Sequence, residues 1–560
     1  MFHTDEQYYT QSGRNMVESG DWITPVFDGK KRFQKPILQY WLAASSYKVL
    51  GISPYSARIW AAIFASLGIL ITYFTTNILF GRKTALLSAL ILPASYIYFL
   101  QARLAYTDMT LSFFITLSLF SFIRGYFLFE KNGDSKKYFL LFYVSMALAI
   151  LAKGHVGFIL PILIVSIFII TTKNYAILRK MYIPGGIMIF LLIALPWFII
   201  MLRLHGMDYL NQIIYTEGVE RMFPKSKFTL YYPFAMIRYY FPWSLFLIAA
   251  VVRIFSLRKG IFEKGNQPIL FFIIWFLTIL VFFVIFRIEH SRYLLPSSPA
   301  IAIIVGRYLS KADDCRREVF PEIRWILGLV CIIYSFAVIA MIITILILLH
   351  LDLLPMIIIG QPLILIIGIA FLIWRYKFSD NLLSENLYFK ENLFHITIGI
   401  SVMQFTTFIF LTGYTFPLVL QSPLPEFSKR ILAKTNKSGF RSEGARIGSY
   451  KLRHNKEKLI ILLGLPVERI EHRERLYDFL GSGKEVLCII RKEDYLKLPS
   501  LLRDRLTLIR EGLQWRKIRI NRKWITLLLN GELKGKEKDF KETTYLLINR
   551  YKPLPIEKIV

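Results

Sequence analysis

Four segments of the chain combine carboxylates, cations and aromatic rings beside long apolar runs. The first begins at His3 and reads "HTDEQYYTQSGRNMVESGDWITPVFDGKKRFQKPILQYWL". The other three read "QARLAYTDMT", "YTEGVERMFPKSKFTLYYPFAMIRYYFPW" and "RIEHSRYLLP". Ionisable groups beside a membrane are energetically costly, so clusters of them at the ends of apolar runs are candidates for function.

These residue types suit chemistry on a phosphorylated lipid. Lys and Arg can hold a phosphate, and a carboxylate can accept a proton from an attacking hydroxyl. Aromatic rings can stack on a sugar or cover a prenyl chain. For any single Arg or Tyr, the alternative is an anchoring role at the membrane interface. That alternative fits Asp108 less well, because an acid at the start of an apolar span gains nothing as an anchor.

The composition is that of an integral membrane protein. The chain has 560 residues, of which 55% are hydrophobic, a mean hydropathy of +0.47 and a formal net charge of +31. Cations of such proteins collect in cytoplasmic loops and near headgroups, and no basic recognition motif accompanies them here, so we expect no nucleic-acid partner. Cys315, Cys331 and Cys488 form no CxxC pair and predict neither a zinc cluster nor a disulfide framework.

A length of about 20 apolar residues per span predicts a polytopic α-helical protein with about a dozen transmembrane helices. The predicted spans lie near residues 59–80, 84–100, 109–123, 138–152, 156–171, 181–201, 240–254, 268–286, 294–306, 325–349, 353–374 and 393–420. If the opening segment lies outside the cell membrane, most of the loops that are rich in Lys and Arg lie on the cytoplasmic side, as the positive-inside rule requires. This orientation predicts that the four polar segments and the chain after residue 420 are extracytoplasmic.

From about residue 421 the pattern changes to that of a small α/β domain. The runs "IILLGL", "EVLCIIR" and "WITLLLN" predict strands, whereas "VERIEHRERLYDFL" and "LPSLLRDRLTLI" predict helices. No Gly-rich phosphate loop or nucleophile elbow occurs there, so we expect a supporting or docking role. The predicted parts are a first extracytoplasmic catalytic loop at 1–58, a transmembrane domain at 59–420 and an extracytoplasmic α/β domain at 421–560.

The opening segment resembles the first extracytoplasmic loop of the family that includes lipid A aminoarabinose transferase and is grouped with the dolichyl-phosphate-mannose–protein mannosyltransferases. The shared pattern is an Asp-Glu pair followed by "SGDWITP" and "FQKPILQYWL". It continues in family order through "ARLAYTDM", "LAKGHVGFILP", "FPWSLF", "RYLLPSSPA" and "EVLCIIRKEDYLKLP". The resemblance covers essentially the whole chain and implies the GT-C fold. It implies an inverting glycosyltransferase of the bacterial inner membrane that moves a sugar from a polyprenyl-phosphate donor to a lipid or protein.

The resemblance also implies roles for the residues that match the family's motifs. Asp5 and Asp108 would orient the acceptor and take its proton, with Glu6 as the other acid of the Asp-Glu pair. Lys35 would hold the donor phosphate, and Tyr293 would approach the same phosphate. The cations that would assist them are Arg32, Arg103 and Arg292.

The same comparison leaves a divalent metal open and assigns no cofactor. The family commonly has Glu before the phosphate-binding Lys, where this chain has Gln34, and a His in the segment that reads "FPKSKFTLYY" here. In relatives these positions suggest a metal site, so both differences argue against one at this place. Glu289 and His290 are weaker candidate ligands, because two adjacent residues rarely face one ion.

The chain begins inside the opening loop, whereas family members begin with a cytoplasmic end and one apolar span. We therefore expect about 20–25 residues of a first helix upstream of this chain's first residue. The alternative is a genuine short form whose N-terminus follows the next span across the membrane.

Two other functions stay open, a transporter or flippase of lipid-linked sugars and an inactive lipid-binding homologue. Transporters usually place ionisable residues at mid-bilayer and often repeat half of their sequence, and neither feature is seen here. The sequence leaves the sugar open, and lipid A phosphate, another glycolipid or a Ser/Thr-containing protein all fit as acceptor.

Overall fold

The structure, a computed structural model, is mostly α-helical and includes a small mixed β-sheet towards the C-terminus. It describes residues 5–213, 230–256, 262–286, 289–314, 322–323, 325–334, 336, 388–410, 424–437, 446–452, 459–460, 462–463, 465, 467–482, 484–515 and 541–549.

The helical part alternates long apolar helices with short polar connections. Its helices are α1 (Glu6–Ser19), α2 (Leu38–Leu50), α3 (Pro54–Phe80), α4 (Arg82–Ala94), α5 (Tyr96–Gln101), α6 (Thr107–Glu130), α7 (Lys136–Lys153), α8 (Val156–Thr172), α9 (Ile177–Lys180), α10 (Ile183–Asn211), α11 (Tyr231–Tyr240), α12 (Trp243–Ser256), α13 (Gln267–Phe286), α14 (Ser298–Asp314), α15 (Trp325–Tyr334) and α16 (Tyr388–Phe410). A two-stranded hairpin of β1 (Val26–Phe27) and β2 (Lys30–Lys31) follows α1, and 3-10 turns occupy Lys264–Asn266 and Ser291–Ser297.

Several of these helices have the length and composition of membrane spans. In the described part of the chain, four qualify, namely α3, α6, α10 and α13 with its preceding 3-10 turn. The pair α11 and α12, bent by 116°, makes a possible fifth. The polytopic helical membrane fold is thus confirmed. The predicted count of about a dozen spans stays a prediction, and the predicted span at 353–374 lies outside the described residues.

Two predicted spans differ from the observed helices. The span predicted at 84–100 is broken, because Ser95 has extended backbone angles between α4 and α5. The span predicted at 294–306 begins only at Ser298, because the preceding residues form a 3-10 turn that contains Pro296. Both breaks lie beside predicted polar segments and leave the chain irregular there.

The connection between α7 and α8 is a tight turn built on two glycines. Gly154 ends α7 with a φ of +87°, a left-handed conformation that favours glycine. Gly157 lies where a Cβ would come within 2.4 Å of the Ala149 carbonyl carbon. The close approach holds Lys153 and His155 at one end of the hairpin.

We expect Gly157→Ala to lower both stability and activity. The added methyl group must push α8 away from the α7 backbone, and overpacking of this kind typically costs about 1–3 kcal/mol. The measurement is the midpoint of thermal unfolding of the purified protein in detergent. Gly185→Ala is the matched control, because a Cβ there meets no atom within 4 Å. Equal midpoints for the two variants would contradict the packing argument.

The C-terminal part is a five-stranded sheet in the order β4-β3-β5-β7-β6. Its elements are α17 (Leu424–Lys437), β3 (Arg446–Tyr450), β4 (Glu468–Ile470), α18 (Arg473–Leu480), β5 (Val486–Arg491), α19 (Lys492–Leu496), α20 (Ser500–Arg503), β6 (Leu506–Trp515) and β7 (Lys541–Asn549). Strand β3 runs parallel to β4 and β5, and β7 runs antiparallel to β5 and β6. The small α/β character predicted from the sequence is confirmed, while the predicted domain boundaries stay predictions.

The individual elements of this part were predicted less well. The strand in "EVLCIIR" is confirmed as β5, but residues 460 and 462–463 of "IILLGL" are helical. The two predicted helices each contain a strand, β4 at the start of one and the beginning of β6 at the end of the other. Short apolar runs do not distinguish a strand from a buried helix by periodicity. The predicted strand "WITLLLN" lies outside the described residues.

The C-terminal part packs against the opening segment. Arg14 on α1 is buried, and its Nη1 donates a 2.5 Å hydrogen bond to the Leu463 carbonyl oxygen. Phe27 of the β1–β2 hairpin packs against the apolar cluster that includes Phe427 and Ile447. The tail therefore supports the segment that carries Asp5.

Candidate active site

Four elements bring charged side chains to one point. Asp5 directly precedes α1, Asp108 lies in the first turn of α6, Lys153 ends α7, and Arg292 lies in the 3-10 turn before α14. The N-terminus of a helix favours a carboxylate, and its C-terminus favours a cation. The ends of α1, α6 and α7 thus match the charges of Asp5, Asp108 and Lys153.

The four side chains form a network of two carboxylates and two cations. Lys153 Nζ lies 2.5 Å from Asp108 Oδ1, and Arg292 Nη1 lies 2.6 Å from Asp5 Oδ2. Arg292 Nε lies 3.8 Å from Asp108 Oδ2, so Arg292 connects the two acids. The side chains of Asp108 and Lys153 are only 4% and 8% exposed. Charges this far from water require partners, and the network supplies them.

Aromatic rings surround the cations. Lys153 Nζ lies 4.2 Å from the centre of the Tyr293 ring, and the Arg292 guanidinium carbon lies 5.3 Å from that of Tyr106. Such contacts stabilise a partly desolvated cation. Burial raises the pKa of Tyr106 well above its usual value, which keeps its hydroxyl protonated at neutral pH.

The charges also fix the protonation states nearby. Burial alone would lower the pKa of Arg292, but Asp108 and Asp5 raise it above its usual value, so the guanidinium stays charged. Partial burial and the cations Arg292 and Lys153 lower the pKa of His290, which favours a neutral imidazole at pH 7. Arg292 thus stays a cation beside both carboxylates near neutral pH.

A cavity of about 200 Å³ opens beside this network, far larger than the roughly 10–15 Å³ that one water molecule requires. Its polar end is formed by Gln34, Asp108, Lys153, His155, Arg292 and Tyr293. Its apolar wall is formed by Phe33, Phe198, Ile213, Phe282, Phe283 and Phe286, among other side chains. A cavity with one charged end and one aromatic wall suits an amphipathic ligand with an anionic head.

Comparison with known structures identifies the fold. ArnT from Cupriavidus metallidurans, solved bound to undecaprenyl phosphate, superposes with a TM-score of 0.69 and 18% sequence identity, covering 91% of this chain and 92% of that chain. Its apo form gives a TM-score of 0.64 at 17% identity, covering 90% of this chain and 91% of that one. The chain has the fold of ArnT.

Sequence comparison supports the same relationship. The family described as "Dolichyl-phosphate-mannose-protein mannosyltransferase" matches residues 1–206. An uncharacterized protein of Aquifex aeolicus is 32% identical over 310 residues, which is 55% of this chain and 59% of the relative. The undecaprenyl phosphate-alpha-4-amino-4-deoxy-L-arabinose arabinosyl transferase of Aeromonas hydrophila is 26% identical over 347 residues, or 60% and 61% of the two chains. The chain thus spans about three fifths of these curated relatives. The resemblance predicted from the sequence is confirmed.

Within this ArnT fold, four of the residues predicted for the site lie together. They are Asp5, Asp108, Arg292 and Tyr293. Lys35 is buried and does not itself line the cavity, although its chain neighbours Gln34 and Pro36 do. Its Nζ donates a 3.0 Å hydrogen bond to the Gln34 carbonyl oxygen.

The two remaining predicted arginines lie away from the cavity lining. Arg32 donates through Nε to the Tyr40 hydroxyl at 2.9 Å, and its guanidinium lies 3.8 Å from the centre of the Tyr8 ring. Arg103 is exposed, and its guanidinium carbon lies 5.3 Å from the centre of the Phe99 ring. Their predicted roles at the donor phosphate stay predictions.

Glu6 points away from Asp5 and is fully buried. Arg58 of α3 donates to both of its carboxylate oxygens, at 2.8 Å and 2.7 Å. The Ala105 amide, just before α6, donates to Oε1 at 2.8 Å. Glu6 thus joins α1, α3 and the start of α6, and its carboxylate is fully engaged in doing so.

The described part of the chain contains no group of three or more His, Cys, Asp or Glu side chains that could hold a metal ion. Glu289 and His290, the weaker candidate ligands, lie side by side before the 3-10 turn. Glu289 lines a separate shallow groove with Tyr231 and Arg238.

The sequence reasoning missed two residues that line or face this site, Lys153 and Tyr106. Lys153 forms the shortest contact of the network, although its segment "LAKGHVGFILP" served only to support the family resemblance. A signal was present, since Lys153 ends an apolar run on the predicted outer face just as Asp108 begins one. Tyr106 carried no comparable signal. Gln34, which the sequence singled out only as a departure from the family's Glu, also lines the cavity. Gln34 Oε1 has no hydrogen-bond partner among the described residues.

Proposed function

We propose that this protein is a membrane glycosyltransferase that moves a sugar from a polyprenyl phosphate to an acceptor at the extracytoplasmic face. The observation that carries the proposal is the partly buried network of Asp5, Asp108, Lys153 and Arg292 at the polar end of an aromatic-walled cavity. The ArnT fold supports it, because ArnT of Cupriavidus metallidurans is solved with undecaprenyl phosphate. In this chain the polar end would take the sugar phosphate and the aromatic wall the start of the prenyl chain.

The cations would stabilise the leaving group. When the bond between the anomeric carbon and the phosphate oxygen breaks, its electron pair leaves with the phosphate, which becomes a monoester and gains negative charge. Lys153 and Arg292 line the cavity where this charge would develop, and Lys35 would assist from between the lining residues Gln34 and Pro36. Electrostatic stabilisation of a developing charge in a site shielded from water is a strong source of catalysis.

The carboxylates would act on the acceptor. A hydroxyl of the acceptor attacks the anomeric carbon from the face opposite the phosphate, so the configuration inverts in one step. Its proton passes to Asp108, which lines the cavity, or to Asp5. Glu6 would position α1 and α6 rather than take the proton, because Arg58 and the Ala105 amide occupy both of its oxygens.

The assay is sugar transfer from radiolabelled polyprenyl-phosphate sugars in membranes that carry the full-length protein, beside membranes without it. Label in a lipid fraction identifies a glycolipid acceptor, and label in protein identifies a protein acceptor. A flippase would instead move labelled donor across the membrane without transfer, and an inactive homologue would do neither. Either of these last results would overturn the proposal.

We expect Lys35→Ala to weaken the use of the donor more than the use of the acceptor. Loss of a charge-assisted contact to phosphate costs about 1.5–3 kcal/mol, or roughly ten- to a hundredfold in donor KM. The acceptor KM should change little. The matched control is Lys30→Ala, which removes an exposed cation from the same loop. A rise in the acceptor KM alone would remove Lys35 from the phosphate site.

A further inference from the structure

His205, near the end of α10, contacts the loop of residues 22–33 through both of its ring nitrogens. This loop includes the β1–β2 hairpin. The His205 Nε2 atom lies 2.9 Å from Thr24 Oγ1, and its Nδ1 atom lies 3.3 Å from Lys31 Nζ. The two contacts join α10 to both sides of the hairpin. Neither the proposed transfer step nor the family resemblance assigns His205 a role.

The partners of the two nitrogens determine the form of the imidazole ring. A lysine ammonium only donates hydrogen bonds, so Nδ1 has to carry a lone pair and accept from Lys31. The proton of the neutral ring is then on Nε2, which donates to Thr24 Oγ1. These contacts therefore require a neutral imidazole in one tautomer.

Two charged groups of the described residues act on His205, namely Lys31 from β2 and Asp21 from the turn after α1. Asp21 Oδ1 accepts hydrogen bonds from the Ile23 and Thr24 amides, at 2.8 Å and 3.1 Å, and so holds the turn that presents Thr24. Protonation of His205 would put a hydrogen on Nδ1, which lies 3.3 Å from Lys31 Nζ. The hydrogen bond would be lost, and two cations would face each other.

The same loop supplies part of the wall of the catalytic cavity. Phe33 lines that cavity and follows Lys31 closely in the chain. The centre of its ring lies 5.1 Å from that of His205 and 5.4 Å from that of Tyr209, further along α10. A displacement of β2 away from His205 would therefore move Phe33 as well.

Helix α10 is kinked at the residue after His205. Gly206 has a φ of +54° and a ψ of −136°, a left-handed φ that favours glycine and is not helical. Ile213, beyond the kink, also lines the catalytic cavity. Before the kink, Trp197 Nε1 donates a 3.0 Å hydrogen bond to the Ile23 carbonyl oxygen, a contact that does not titrate. His205 thus lies between a fixed contact with the loop and the part of α10 that reaches the cavity.

We infer that His205 is a positioning residue, which in its neutral form fixes the 22–33 loop against α10 and thereby holds Phe33 in the cavity wall. The inference rests on the proposed function in one respect, since the cavity is then the donor site and acidification weakens donor binding. Histidine is the side chain that ordinarily changes its charge between about pH 5 and pH 8. The contact with Lys31 is present above this change and is lost below it.

The first measurement is amide hydrogen exchange in the 22–33 loop of the full-length protein in phosphatidylcholine nanodiscs, without ligand, at about pH 7.5 and about pH 5.5. The rates are corrected for the chemical pH dependence of exchange. His205→Gln supplies an amide that is neutral at both pH values and can still accept from Lys31. Lys31→Met removes the opposing cation. Lys30→Met is the matched control, because Lys30 is the exposed neighbour in the same strand.

We expect the protection of the loop in the wild type to fall about threefold from the higher to the lower pH, the effect of one lost hydrogen bond. It should stay constant in His205→Gln and in Lys31→Met, whereas Lys30→Met should follow the wild type. Equal protection of the wild type at both pH values would overturn the inference. So would an equal fall in the wild type and His205→Gln, because another group would then titrate.

The second measurement is equilibrium binding of methyl polyprenyl phosphate, a diester that keeps one negative charge at both pH values. Its affinity for the wild type should fall about threefold on acidification and stay constant in His205→Gln. The comparison with His205→Gln is needed because His155 also lines the cavity. A wild-type affinity that stays constant while the loop loses protection would remove His205 from the positioning of the cavity wall.

Hydrogen exchange without ligand separates this inference from the proposed function. A fall in protection that disappears in His205→Gln, in a protein that binds no methyl polyprenyl phosphate at either pH, would keep the contact of His205 with the loop and refute the donor site. Sugar transfer with the same donor KM at both pH values, together with equal protection of the loop, would keep the transferase and refute the role of His205.

Discussion

Asp108→Asn should lower the rate of sugar transfer by about 10²–10⁴-fold, the range that general-base catalysis supplies. The amide keeps nearly the same shape and can still accept a hydrogen bond from Lys153, which lies 2.5 Å from Oδ1 in the wild type. It cannot accept the proton of an attacking hydroxyl. The measurement is the initial rate with a radiolabelled polyprenyl-phosphate sugar at equal amounts of protein in the membrane.

A control variant and a variant of the second acid of the network show whether the loss of rate is specific to Asp108. Asp208→Asn removes an exposed carboxylate near the end of α10 and should leave the rate unchanged. Asp5→Asn tests the other acid of the network, whose Oδ2 lies 2.6 Å from Arg292. Of Asp5→Asn and Asp108→Asn, the variant that loses more of the transfer rate identifies the acid that takes the proton. Full activity of both Asp5→Asn and Asp108→Asn would refute the assignment of the network as the catalytic centre.

The sequence predicted the parts of the site that leave a local signal. Asp108 was singled out because an acid at the start of an apolar span is costly without a purpose, and the structure places it at the polar end of a cavity. Arg292 and Tyr293 were found because a polar cluster interrupts two apolar runs. Asp5 followed from the family resemblance. Each of these inferences needed only the neighbouring residues in the chain.

The pairing of these residues could not be predicted in the same way. Lys153 lies 45 positions from Asp108, and only the packing of α6 against α7 brings the two charges together. Glu6 follows Asp5 directly, yet one turns towards Arg292 and the other towards Arg58, because successive residues at a helix start point in different directions. Local patterns fix which segments are polar but not which side chains meet.

The C-terminal part shows a different limit. A run such as "IILLGL" has the length of a strand, but part of it is helical and its Leu463 carbonyl accepts the hydrogen bond from Arg14. Its partner lies more than 400 residues earlier in the chain. Tertiary packing of this kind overrides a local conformational preference. A short stretch of sequence cannot predict it, because the contact joins residues that are far apart in the chain.

Glu6→Ala should destabilise the protein by about 3 kcal/mol, at the lower end of the 3–5 kcal/mol expected when one partner of a buried ion pair is removed. The lower end applies because the Arg58 side chain is 22% exposed and recovers part of its hydration. The measurement is the shift of the thermal unfolding midpoint in detergent. Glu263→Ala is the control, because Glu263 is exposed and forms no ion pair in the part of the chain that the structure describes.

A double substitution separates a positioning role of Glu6 from a catalytic one. In Glu6→Gln with Arg58→Met, the amide oxygen still accepts from the Ala105 amide, and no buried charge is left without a partner. Replacing both members of a buried pair is often neutral, so the double variant should recover most of the stability that Glu6→Ala loses. If Glu6 only holds α1, α3 and α6 together, sugar transfer should recover with it. A double variant with the wild-type unfolding midpoint and no transfer would instead make Glu6 a catalytic acid beside Asp5 and Asp108.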